Sequence, residues 1–443
     1  MQPPSLPHFL TPAGRIIGWR DGTVVRASGI RYARAERFQF PEPEPAAAEP
    51  ILATSPAPAC PQVADPRLAL AFGDFYTDAT FDEDCLRLSI TVPADRPPEE
   101  VLPVLVWVHG GSYVTGAGDV PLYDPAALVT EQRVVFVAVT YRLGLLGFLG
   151  SPSGTPPNLG LLDLREALRW VQRNIAAFGG NPGRVTLLGH SSGADAIAHL
   201  MVAEGTAGLF RRVIMHSAPL GLAPNRQRMV QVMLQAAGRL PPTAPVAEIL
   251  ARESSVTKAV RRFGLKSGMP FGTQYGAYPL PAEAELDQAW QAVAPSVDVL
   301  IGATREETRF FAVIEPKLRW LPRLPLLGAP LTQLLVGATS KRIYLAPAQA
   351  FAQRHARAGG RAFLFSVVFR PAGDTFGAAH TVDLPLLLGT QASWAATPLL
   401  ANSTWEQIHQ AGRQVRQLWA DFARTGELPA HLSIPDVLTV EQV

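Results

Sequence analysis

Residues 185–201 constrain the fold more than any other stretch. VTLLGHSSGADAIAHLM opens as an apolar strand pattern, Val185–Leu188, and closes as a helical pattern, Ala194–Met201. Between them lies Gly189-His190-Ser191-Ser192-Gly193, which fits G-x-S-x-G. A strand that turns into a helix over so few residues brings the two close together. Small residues two before and two after the serine let them pass. The turn strains the serine backbone, lifts its hydroxyl above the strand end and aims the positive end of the helix at it. Alone, the pattern arises by chance in about one chain in ten of this length. The flanking strand and helix make Ser191 a candidate nucleophile and not an ordinary turn residue.

The rest of the centre repeats the alternation. PVLVWVHGG and VVFVAVTYR are apolar strand runs, and NLGLLDLREALRWVQRNIAAF carries Leu161, Leu164, Leu168, Val171 and Ile175 at helical spacing. Asn158 is expected to cap that helix. RVIMHS, DVLIGA and RAFLFSVVF add further strands. Buried strands alternating with helices predict an α/β fold, a mostly parallel sheet covered on both faces, with its chemistry at the C-terminal strand ends. The 443 residues would allow roughly three domains of about 150. Yet no internal repeat is evident, and the strands feed one sheet. The expectation is a single domain over 1–443, with helical insertions at about 220–290 and 312–355 forming a cap. PEPEPAAAEP, at 41–50, reads as a surface loop.

Composition excludes several classes. With 47% hydrophobic residues the chain is not disordered. The net charge is +2 and the arginines are scattered, which argues against a nucleic-acid partner. The longest apolar run, from Val134, is broken by Arg142 and glycines and falls short of a membrane anchor. MQPPSLPHFLTPAG shows no basic or apolar leader region, so a cytoplasmic protein is expected, with a secreted one the alternative.

A nucleophilic serine needs an oxyanion hole and a base. His109-Gly110-Gly111 follows the strand Val104–Val108, and its backbone N–H groups can approach a substrate oxygen. With the N–H of Ser192, Gly110 and Gly111 are the candidate donors. This H-G-G type of motif accompanies G-x-S-x-G in esterases and lipases. In that arrangement the chain order is serine, acid, histidine. That order leaves His355, His380, His409 and His431 as bases. His355 and His409 lie in helical patterns and His431 near the C-terminus. His380 lies in the loop DTFGAAHTVD after a strand, where a base can reach across the sheet. DVLIGATREETRFF places Glu306 and Glu307 after a strand, and spacing does not choose between them.

These segments together resemble the type-B carboxylesterases, the cholinesterase-like family of α/β-hydrolases. GIRYARAERF, DEDCLRLSI, VLVWVHGGSYVTGAG, VAVTYRLGLLGFL, FRRVIMHSAP, GATREETRFF, GAAHTVDLPLLLG and LWADFARTG are similar to the family's blocks, in family order. The resemblance implies Ser191 as nucleophile, Glu307 as acid and His380 as base, with Gly110, Gly111 and Ser192 as oxyanion donors. It makes Ser217 a serine that helps position the acid. It makes Arg37 with Glu83, and Arg142 with Asp163, structural ion pairs, and it pairs Cys60 with Cys85 in a disulfide, whose oxidation would favour the secreted alternative. It implies no metal or organic cofactor. The chain departs from the family at His190 and Asp383, where glutamates are usual, and at Thr308, where glycine is usual. It is also shorter between Glu307 and His380 and after Gly426.

The expected reaction is hydrolysis of a small carboxylic ester bearing apolar groups, through an acyl-enzyme. Thioesterase, amidase and acyltransferase chemistry use the same triad. A non-catalytic binding protein of this family would lack a triad member, and this chain lacks none. RWLPRLPLLGAPLTQLL, at 319–335, is either an apolar pocket wall or an ordinary packed helix and turn. The oligomeric state has no signature in the sequence.

Overall fold

The fold is described from a computed structural model, which covers residues 6–443 except 74–78, 151–153, 319–323, 325 and 374. Its centre is an eleven-stranded sheet. In chain order the strands are β1 (Trp19–Asp21), β2 (Val24–Arg31), β3 (Arg87–Pro93), β4 (Leu102–Val108), β5 (Val135–Val139) and β6 (Gly180–His190). They continue with β7 (Arg212–His216), β8 (Asp298–Thr304), β9 (Ala362–Val367), β10 (His431–Ile434) and β11 (Leu438–Gln442). Their order across the sheet is β10-β11-β9-β8-β7-β6-β4-β5-β3-β2-β1. The six from β9 to β5 are parallel, and antiparallel strands extend both edges. His431 thus lies on an edge strand.

The parallel strands are apolar throughout because both faces are covered. On β4 the alternation is explicit. Val104, Val106 and Val108 join one core cluster, while Leu105 and Trp107 join the other. The first cluster takes the apolar stripes of α1 (Leu159–Asn174) and α2 (Ser192–Leu200). The five residues spaced for a helix, from Leu161 to Ile175, are all buried there. On the same side pack the inserted helices α3 (Gln227–Ala237), α4 (Val246–Ala259) and α5 (Leu286–Val293). Helix α6 (Gly328–Ser340) runs through one π-helical turn, Lys341–Leu345, into α7 (Ala346–Arg357). The second cluster is closed by α8 (Trp405–Thr425), through Ile408, Val415, Trp419 and Phe422.

Three expectations need comment. Asn158 precedes α1 but does not cap it. Its side chain instead accepts from Gln274 N and donates to Gln274 O and Ala277 O, binding the insertion to the core. Cys60 and Cys85 are side by side but are free thiols, not a disulfide. The Cys60 sulfur accepts hydrogen bonds from Leu143 N–H at 3.3 Å and from the Cys85 thiol. That bond and burial push the Cys85 thiol up, away from the thiolate that disulfide formation requires. Finally, residues 319–323 and 325 of the 319–335 segment lie outside the described residues, and from Gly328 onward it belongs to α6.

Both expected ion pairs form. Arg142 is buried and donates from its backbone N, Nε and Nη2 to Asp163, with Nη1 on Gln39 O. Arg37 pairs with Glu83 in a more open setting. Among the described residues no helix is long and apolar enough to cross a membrane.

Candidate active site

Five parallel strands deliver the candidate residues to one edge of the sheet. β4 leads into Gly110, β6 into Ser191, β7 into Ser217, β8 into Glu307, and β9 into the loop holding His380. Ser191 sits between the last residue of β6 and the first of α2, at φ 56° and ψ −126°. Its N–H donates to His216 O at 2.8 Å, which fixes the turn against the neighbouring strand. The small residues around it are a packing requirement. A Cβ on Gly193 would lie 2.1 Å from Val108 O, and one on Gly110 would lie 2.7 Å from His190 O.

The choice between the two glutamates is made by direction. Glu307 is fully buried, and its Oε2 is hydrogen-bonded to His380 Nδ1. Its Oε1 accepts from Ser217 Oγ at 2.5 Å and from Thr304 N at 2.7 Å. Glu306 points the other way, accepting from Ala378 N and pairing with Arg370. With Nδ1 donating to the carboxylate, His380 presents Nε2 toward substrate. The His380 ring packs on the His190 ring at 4.6 Å, beside the serine turn, and on Tyr344 and Phe311. No hydrogen bond joins Ser191 Oγ to His380 in the structure. Such contacts tighten when substrate is bound.

Gly110, the first of the candidate oxyanion donors, lies directly against His190 and Ser191. The N–H groups of Gly110 and Gly111 make no backbone hydrogen bond among the described residues, and Ser192 N–H opens α2. Ser112 N–H is equally free, on a left-handed backbone with φ 56°. Sequence reasoning passed over Ser112, because nothing in a serine signals a positive φ.

Residues 6–319 match the carboxylesterase family. The chain belongs to that family. It is 36% identical over 423 residues to a probable N-octanoylanthranilate hydrolase of Rhodococcus erythropolis, spanning 94% of this chain and 92% of that one. It is 29% identical to the para-nitrobenzyl esterase of Bacillus subtilis, over 94% and 89% of the two chains. The solved structure of a thermophilic para-nitrobenzyl esterase superposes with a TM-score of 0.81 at 27% identity, covering 99% of this chain and 98% of that one. This carboxylesterase hydrolyses carboxylic esters on an α/β-hydrolase fold.

Two of its departures from the family pattern meet behind the serine. Asp383 Oδ2 accepts from His216 Nδ1 at 2.6 Å, and Trp419 Nε1 donates to His216 Nε2 at 2.5 Å. The two bonds have His216 donating from Nδ1 and accepting at Nε2. Burial would raise the Asp383 carboxyl, but the hydrogen bond from His216 Nδ1 holds it below its ordinary range. Asp383 Oδ1 faces His190 Nε2 at 3.8 Å. Burial, and then the neighbouring His380 ring, push the His190 imidazole well below its ordinary range. His190 accordingly stands as a neutral ring, where the family usually has a carboxylate. Thr308, the third departure, ties the acid loop to α6 by donating its hydroxyl to Val336 O at 3.1 Å.

Proposed function

We propose that Ser191, His380 and Glu307 carry out the ester hydrolysis, and that the substrate carries an apolar acyl or alkyl group. His380 takes the Ser191 proton as Oγ attacks the ester carbonyl. The tetrahedral oxyanion is held by N–H groups of Gly110, Gly111 and Ser192, and Ser112 is placed to assist. His380 then protonates the departing alcohol. Water enters by the same route and releases the acid. Glu307 stabilises the imidazolium and fixes its orientation, and Ser217 holds Glu307.

One observation carries this reading: a buried carboxylate bonded to the Nδ1 of a histidine that packs beside a left-handed serine turn. An apolar substrate is supported by Phe311 and Tyr344 against His380, and by the exposed Leu327, Leu331 and Leu334 along the α6 segment. The names of the relatives, a nitrobenzyl esterase and an octanoylanthranilate hydrolase, point the same way. The second name also favours an amide reading, which a matched panel of octanoyl ester and octanoyl anilide separates.

The test is Ser191→Ala assayed with p-nitrophenyl butyrate and octanoate. Loss of turnover by at least about 10³-fold is expected, since only oxyanion and binding contributions remain. Full retention of activity would falsify the triad.

A further inference from the structure

We infer that Tyr113 and Asp195 form a strap that holds the oxyanion loop in register with the nucleophile helix, which makes Asp195 a positioning residue for the reaction. The inference rests on the triad reading above and adds residues that it does not use.

The loop needs holding. Gly111, Ser112 and Tyr113 have consecutive positive φ values of 113°, 56° and 63°. Two of the three carry side chains, and such backbone persists only where its surroundings over-determine it. Tyr113 is where they do so. Its N–H donates to Ser192 Oγ at 3.2 Å, and its carbonyl accepts from Gly144 N at 2.7 Å. Its ring is fully buried against Phe148, and its hydroxyl donates to Asp195 Oδ2 at 2.7 Å.

Asp195 is the fourth residue after Ser191, and its N–H closes the first α2 hydrogen bond to Ser191 O at 3.0 Å. The Tyr113–Asp195 bond therefore joins the two halves of the hole. Gly110, Gly111 and Ser112 belong to the loop, and Ser192 belongs to the helix. Hydrogen bonds to a buried carboxylate are short and strong, and they fix geometry better than neutral ones. Asp195 lies in the first turn of α2, at the positive end of that helix. Its Oδ1 has no hydrogen-bond partner among the described residues, while Oδ2 takes the phenol at 2.7 Å and stands 3.5 Å from His199 Nδ1.

The strap continues outward. His199 Nδ1 donates to Asp195 O at 2.7 Å, and His199 Nε2 accepts from the Tyr275 hydroxyl at 2.9 Å. Tyr275 belongs to the inserted segment. The insertion thus braces the oxyanion hole from behind.

A hole held slightly out of place weakens transition-state binding without weakening substrate binding. Tyr113→Phe removes one oxygen and keeps the ring. It should lower kcat for p-nitrophenyl butyrate by about 10- to 100-fold and leave KM within about threefold. Phenylboronic acid, which forms an anionic tetrahedral adduct on Ser191, should bind more weakly by a similar factor. Asp195→Ala should match Tyr113→Phe, the double variant should be no worse than either, and Asp195→Asn, which still offers an oxygen, should recover much of the loss. An undiminished kcat in Tyr113→Phe would overturn the strap, as would a double variant whose loss is the product of the two. If Asp195→Ala does not fold, Tyr113→Phe and Asp195→Asn decide the matter. Activity surviving in Ser191→Ala sinks the triad, whereas activity surviving in Tyr113→Phe sinks only the strap.

Discussion

Replacing Glu253 with Gln should remove a pH dependence of stability that lies between about pH 4.5 and 7. Glu253 is on α4, and its Oε2 accepts from Leu145 N at 3.0 Å. Leu145 lies in the short helix Gly144–Gly147, whose Gly144 N–H holds the Tyr113 carbonyl. Burial pushes the Glu253 carboxyl up from 4.5 to about 7, and the Leu145 bond offsets only part of that rise. In the unfolded chain the proton is lost near 4.5, but the folded protein keeps it to about 7. Below 4.5 both states are protonated and the contribution to stability is whole. Between the two values the unfolded state binds fewer protons, so stability falls as pH rises. Above about 7 the loss is complete. At 1.36 kcal/mol per tenfold change in acidity, it amounts to about 3 kcal/mol. With an unfolding entropy of about 2.1 cal/mol/K per residue, a chain of 443 residues shifts its Tm by about 3 °C. The assay is thermal unfolding of both proteins from pH 4.5 to 8.5, taken as a difference so that other titrations cancel. Relative to the parent, the Gln variant should gain about 3 °C across that range. A difference that stays flat, or falls with pH, would refute the assignment of a buried, protonated carboxyl.

Glu307→Gln should lower kcat by about 10³- to 10⁴-fold with little change in KM, because an amide no longer favours the Nδ1–H form of His380; steady-state kinetics read this directly. Asp163→Ala strands the buried Arg142 guanidinium and should cost about 3–5 kcal/mol, or about 4 °C in Tm, with activity per folded molecule kept. Protein unfolded without reductant should yield two thiols to a chromogenic reagent, and the native protein should yield none. A thiol count of zero after unfolding would restore the Cys60–Cys85 bridge.

The parts of this molecule that depend on residue type were readable before any coordinates. Strand and helix periods set the sheet, and the crowding around Ser191 demanded glycines that the sequence displays. Chain order left four candidate histidines, of which His380 was the one in a loop after a strand. The rest depends on direction, which a sequence does not carry. Glu306 and Glu307 are chemically identical neighbours, and only the loop geometry sends one to His380 and the other to Ala378 N. Ser112 and Tyr113 take left-handed backbone without glycine, and Tyr113 is held there by contacts 31 to 82 residues away. Asn158 looked like a helix cap, yet it spends its amide on the insertion. His190 and Asp383 looked like separate departures from a pattern, but Asp383, bonded to His216, also faces His190 in one buried cluster.

The backbone of Ser191 also shapes how this sequence can drift. At φ 56° and ψ −126° a side chain is out of place, at a cost of order 1–3 kcal/mol. Glycine would relieve it. A Ser191→Gly chain should therefore outlast its active parent on heating while hydrolysing nothing. Stability and turnover pull this one position toward different residues, and a library ranked by thermal tolerance alone would be enriched in molecules that have lost their nucleophile.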